Sequence, residues 1–207
     1  MKGLLLKDLY MMKAYCKSYV LMFVVFLAAS FFGGNMFFIY YPCMISGMIP
    51  VNLLSFDEQS RFIQYSASLP VSRALIVSEK YLLGLISQAA VLIVTGIAQW
   101  IRMSINGTFA INEFIVIILS LQLVSFLVSS IPLPLIFKNG VEKGRIVYYV
   151  MIGIVCGFGA LFSQAFKENL LSIQLSGFVF MGLMILGIGL YVLSWYLSVV
   201  FYKKREL

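Results

Sequence analysis

From Ser18 to Phe56 the chain runs 39 residues without a charged side chain. As one helix this stretch would reach roughly 58 Å at 1.5 Å per residue, about twice a ~30 Å hydrocarbon core. It must fold back on itself, and Gly33-Gly34-Asn35 is the turn the sequence offers. Two spans follow, about 15–32 and 36–54. Four more apolar stretches of membrane length come later, at about 81–101, 114–137, 146–166 and 177–202. The expectation is an all-α polytopic membrane protein with six transmembrane helices.

Composition agrees. Charged residues make up 11% of the chain, against about 25% in an ordinary soluble domain. That is too little polar material to cover a water-facing surface, so a soluble globular domain and a disordered chain are both excluded. The first apolar run starts about 17 residues in and lacks a small-residue cleavage site, so it is expected to stay in the protein. No loop is long enough for a soluble domain, and residues 1–207 read as one transmembrane domain.

Charge placement orients it. With six spans and the amino terminus inside, Lys2, Lys7, Lys13 and Lys17 fall on the cytoplasmic side, with Arg61, Arg73 and Lys80. Lys138, Lys143, Arg145, Lys203, Lys204 and Arg205 join them, leaving Arg102 and Lys167 outside. This is the positive-inside pattern, with both termini cytoplasmic. The net charge of +7 is then topological; its counter-surface is anionic lipid, and no nucleic-acid partner is expected.

Chemistry is sparse. Without histidine the chain lacks the commonest general base and metal ligand. Cys16, Cys43 and Cys156 are widely spaced with no CxxC pair, so neither a metal site nor a disulfide framework is suggested. No Walker loop or HExxH occurs. No ionisable residue lies near the middle of any span, whereas ion-driven carriers normally keep one there. Uphill transport by this chain would need force from elsewhere.

Two flanking segments are amphipathic. In residues 1–17 the four lysines share one helical sector, while Leu4, Leu5, Leu9, Met11, Met12 and Tyr15 take the other; Asp8 is the exception. This predicts an interfacial helix on the inner leaflet. After the second span, Ser55-Phe56-Asp57-Glu58 has capping-box spacing, predicting a fresh helix there. Phe62, Tyr65 and Leu69 give it an apolar stripe, and Pro70 ends it. Such a helix suits docking to a soluble partner or anchoring to lipid.

Inside the spans, Asn52, Gln88, Thr95, Gln99 and Gln122 are polar, and Gln88, Thr95 and Gln99 share one face. They suit interhelical hydrogen bonds or a substrate pathway. Pro132 and Pro134 are expected to bend or end the fourth span. Gly153 and Gly157, with Gly159, Gly182, Gly187 and Gly189, are expected to allow close helix packing.

The order of LLLKDLY, a two-span apolar block and DEQSRFIQYSASLPVSRALIVSEKYLLGL resembles the membrane subunits of ABC type-2 exporters. It is similar to the short six-span permeases whose ATPase is a separate polypeptide. Many of these have Gly-Trp where this chain has Arg61-Phe62, which keeps an aromatic. The resemblance implies a coupling helix at 55–70 that sits in a cleft of the ATPase. Asp57, Glu58, Arg61, Phe62, Tyr65, Leu69 and Pro70 would form that surface. It further implies a bacterial plasma-membrane permease pair, identical or related, with two copies of a cytoplasmic ABC ATPase. ATP and Mg would be used by the partner, with no cofactor or metal bound here. Some relatives export amphipathic cytolytic or antimicrobial peptides. The alternatives are a non-transporting sensor or immunity subunit, the substrate-binding subunit of an ATP-driven importer, and, with least chemistry to support it, a membrane enzyme.

Overall fold

The computed structural model describes residues 2–15, 17–32, 37–62, 65, 72–107, 110–165 and 177–204. Apart from short turns these are helical, with no strand among them. In chain order the helices are α1 Lys2–Tyr15, α2 Lys17–Phe32, α3 Phe37–Ser46, α4 Ile49–Gln59 and α5 Arg73–Ile105. Then come α6 Ile111–Ser130, α7 Pro132–Asn139, α8 Val141–Ala165 and α9 Gly177–Lys204.

Among the described residues, four segments are long and apolar enough to cross a membrane: Phe38–Gln59, Arg73–Ile105, Ile111–Asn139 and Gly182–Lys204. The pair Gly3–Ala14 and Lys17–Phe31, bent by 63°, passes jointly as a fifth. Of the six stretches expected, α2 and α8 overlap the remaining two. The expected turn at Gly33-Gly34-Asn35 lies outside the described residues. The Phe38–Gln59 segment is mostly buried, whereas α9 turns Ile185, Leu186, Val192 and Leu193 outward, as a lipid-facing helix must.

Prolines interrupt two spans, and serines on neighbouring helices repair them. The second span, expected as one helix, breaks between α3 and α4 at Gly47 and Met48, with Pro50 in the first turn of α4. Pro50 has no N–H to give to the Ser46 carbonyl; Ser87 of α5 reaches it instead at 3.5 Å. The fourth span breaks at Ile131, but helix resumes at once as α7, so the prolines neither end the span nor leave a long gap. Pro134 vacates the Ser130 carbonyl, which accepts from Ser194 Oγ of α9 at 2.6 Å. Ser194 also meets the buried Tyr81 hydroxyl at 2.6 Å, and Ser198 meets it at 2.7 Å. Ser194→Ala would take this donor from the Ser130 carbonyl and leave the Tyr81 hydroxyl with Ser198 alone. A loss of about 1 kcal/mol is expected, read as a lower unfolding temperature in detergent.

The main apolar core lies between α4, α5, α7 and α9, where Leu54, Val77, Leu133, Ile136 and Phe137 pack with Tyr202. The same end of the bundle collects charge. Arg73 of α5 donates to the Lys203 carbonyl at 3.1 Å, closing the end of α9. Lys138 sits over Phe201. Gly140, at φ 90°, turns α7 into α8, and a Cβ on Gly144 would overlap Ile136. Gly144→Ala should therefore force the α7–α8 hairpin apart, at a cost of about 1–3 kcal/mol, measurable by thermal unfolding of the purified variant.

Among the described residues, four of the expected packing glycines meet nothing within the chain, and the surroundings of Gly159 lie outside those described. A Cβ at Gly153, Gly157, Gly182 or Gly189 would meet nothing within 4 Å. These positions lie on the outside of the bundle. Gly187, by contrast, is buried against Phe126.

Candidate functional site

The last turn of α4 organises the charged end. Ser55, Asp57 and Glu58 do not open a new helix as their spacing suggested; they finish one that began at Ile49. Ser60 N–H closes on the Phe56 carbonyl at 2.9 Å and Arg61 N–H on the Glu58 carbonyl at 3.1 Å. Arg61 itself sits in the left-handed region at φ 53°. The helix could not stop at Leu54, because nothing there removes a backbone donor or favours a turn. Two acids consequently stand at a helix carboxyl end, where the helix dipole opposes them. Each is compensated from another helix.

Asp57, 3% exposed, lies between two ammonium groups. Lys80 Nζ of α5 is 2.6 Å from its Oδ2, and Lys7 Nζ of α1 is 2.6 Å from its Oδ1. Lys80, itself 1% exposed, also pairs with Asp8 of α1, which is fully buried. Lys7 is 3.1 Å from Asp8 Oδ1 and lies over the Phe62 ring, 3.6 Å from its centroid. Glu79, 1% exposed, stands beside Asp8, and its Oε1 has no hydrogen-bond partner. Two cations thus face three carboxyl groups, with Lys80 and the three acids buried and Lys7 partly exposed.

Glu58 turns the other way. Its Oε2 accepts the Val141 N–H at 3.2 Å, at the amino end of α8, where the dipole favours an anion. Arg145 of α8 donates to Ser55 Oγ at 2.7 Å. One helical turn is therefore tied to α1, α5 and α8.

Beyond this turn the chain faces outward. Arg61 is exposed and Tyr65 is 62% exposed, while Phe62 is half-buried under Lys7. The Phe62 and Tyr65 rings lie 6.3 Å apart. Leu69 and Pro70 fall outside the described residues. Of the expected surface, then, Arg61 and Tyr65 are presented outward, whereas Asp57 is consumed in the interior and Glu58 caps α8.

The expectation of an interior without titratable groups needs correcting at this end. Lys80 stands seven residues into α5, roughly 10 Å from its start and far from the middle of the ~50 Å helix. The span centres stay free of charge; the bundle end does not. Sequence reading missed Lys7, Asp8, Glu79 and Lys80 as members of a site. The signal was Asp8, an acid on the apolar side of a basic helix.

Two of the polar residues inside the spans, Asn52 and Gln88, bond to other helices. Asn52 Nδ2 donates to the Tyr19 hydroxyl at 2.6 Å and to the Met48 carbonyl at 3.1 Å. Gln88 Nε2 donates to Ser129 Oγ at 2.5 Å. Thr95 bonds back to the Val91 carbonyl at 2.8 Å, and Gln99 is buried, whereas Gln122 is half-buried. The void beside Thr95 and Gln99 is about 10 Å³, room for one water at most. A larger opening, about 350 Å³, lies among α1, α2, α3, α4 and α5. Leu9, Met12, Tyr19, Phe23 and Ile45 line it, with Lys13 the charged member. That volume falls in the range of small-ligand pockets.

Comparison with curated proteins and with solved structures returned no match. The family model described as ABC-2 family transporter protein matches residues 3–203. A multi-helix bundle with an outward apolar surface, matched along nearly its whole length, makes the assignment plain: the chain belongs to the ABC-2 transporter family and is a multi-pass membrane component of a transporter.

Proposed function

We propose that the chain is the permease subunit of an ATP-driven exporter, with hydrolysis of Mg-ATP carried out by two copies of a separate cytoplasmic ABC ATPase. The observation that carries this reading is the α4 junction. The outward residues Arg61 and Tyr65 follow a helical turn tied by ion pairs and hydrogen bonds to α1, α5 and α8. Force applied at the end of α4 reaches three helices through these ties. Basic residues gather at this end, which suits the cytoplasmic face.

The cargo proposed is an amphipathic peptide or another hydrophobic compound, moved outward across the plasma membrane of a bacterial cell. The apolar groove beside Lys13 supports that class, since it offers hydrocarbon walls and one cation. The void beside Thr95 and Gln99, about 10 Å³, is too small for a peptide, which favours two permease copies enclosing the path. The test is co-reconstitution with the ATPase in inside-out vesicles. ATP-dependent uptake of an amphipathic helical peptide is expected; uptake undiminished without nucleotide would overturn the reading.

A further inference from the structure

We propose that α1 is a moving part of the transport machinery, locked by the buried Asp8–Lys80–Asp57 joint to the end of α4 and the start of α5, so that the three move as one block. This rests on the exporter reading above and adds a role for a helix whose sequence suggested only a membrane anchor.

The joint has the properties a rigid link needs. A single ammonium, on α5, pairs with carboxylates from two other helices. None of the three side chains has appreciable water contact, so the pairs cannot be exchanged for hydration as α1 slides. A slip of α1 by one helical turn, 5.4 Å, would part Asp8 from Lys80, which keeps Asp57, and leave a buried carboxylate without its ammonium, a costly way to break such a cluster. Lys7 adds a second bridge between Asp8 and Asp57. Apolar contacts continue the clamp along α1, where Leu5, Met11 and Met12 pack on Ile49, Leu53 and Leu83.

The other side of α1 carries no comparable hold. Leu6, Leu9 and Tyr10 are exposed, and α1 packs on α2, α4 and α5. The apolar groove has Leu9, Met12 and Lys13 of α1 on one side and Tyr19, Val20 and Phe23 of α2 on another. A block motion of α1, α4 and α5 against α2 changes its width. The joint thereby connects the end of α4, beside the outward Arg61, to the groove.

The experiment uses the permease–ATPase complex in vesicles and compares the native chain with Asp8→Leu/Lys80→Met. This double variant removes the pair without leaving either partner's charge unmatched, and Asp57 retains Lys7. It should fold and keep the ATPase, while amide exchange of residues 2–15 rises and transport per ATP hydrolysed falls about tenfold. A cysteine pair away from the groove, Leu5→Cys/Leu53→Cys, closed by a short thiol crosslinker with Cys16, Cys43 and Cys156 replaced by Ala, then fixes α1 to α4. The crosslink should leave transport by the native-charge chain intact and restore it in the double variant. Unchanged transport per ATP in the double variant, or arrest of the native-charge chain by the crosslink, overturns the proposal. If the native complex shows no ATP-dependent transport, the exporter reading falls instead. The exchange measurement then decides the joint, and exchange in residues 2–15 as slow as in the native chain refutes it.

Discussion

Lys80→Met alone should destabilise the protein by about 3–5 kcal/mol, far more than the double change that also removes Asp8. The single variant leaves Asp8 with only the partly exposed Lys7 nearby, in a pocket where Glu79 is already short of a partner. Asp57 keeps Lys7 but must share it. A buried pair contributes little over a matched apolar replacement, yet breaking it from one side exposes the full desolvation cost of the remaining charge. Thermal unfolding of Lys80→Met, Asp8→Leu and the combined variant checks this. The two singles should both fall well below the native chain, and the combination should recover most of the loss. Additive losses would mean that the two groups do not interact.

Tyr65→Asp should weaken association with the ATPase about tenfold or more, the usual scale for an aromatic anchor at an interface centre. Tyr65 is 62% exposed and stands beside Phe62, so the change touches a projecting ring and leaves the core alone. Insertion and unfolding temperature should be unaffected. Leu69→Asp is expected to act in the same way. Titration of the purified ATPase against permease in nanodiscs measures the effect, and unchanged affinity for both variants would remove this segment from the contact surface.

The two predictions differ in how far the sequence could lead to them. Tyr65 was legible because a stripe at helical spacing outside an apolar span has few uses besides docking or lipid anchoring. Lys80 was not, because its sequence position, one residue before an apolar run, is also where an ordinary topology-setting lysine belongs. The charge belongs to a joint only because Asp8 and Asp57 arrive beside it from 72 and 23 positions earlier. Glu58 shows the same limit. Its acidic side chain suited the first turn of a new helix, and in the structure it serves the first turn of a helix whose amino end is 83 residues away.

Proline effects divide similarly. Pro134 announced a lost backbone bond in its own span, since a missing N–H is a local fact; Pro50 does the same in the second span, expected as one helix. That Ser87 and Ser194 stand opposite the vacated carbonyls depends on helix register across the bundle.

By itself the sequence determined that this chain lives in a bilayer, that it is built of helices and where along it charge gathers. Those follow from hydrocarbon length and from the cost of taking ions out of water, both readable one segment at a time. Only the tertiary structure decided which charges leave the surface and which helices they join. Pairing is a property of two or more distant residues, and an ammonium is stable away from water only once its carboxylates have been brought to it.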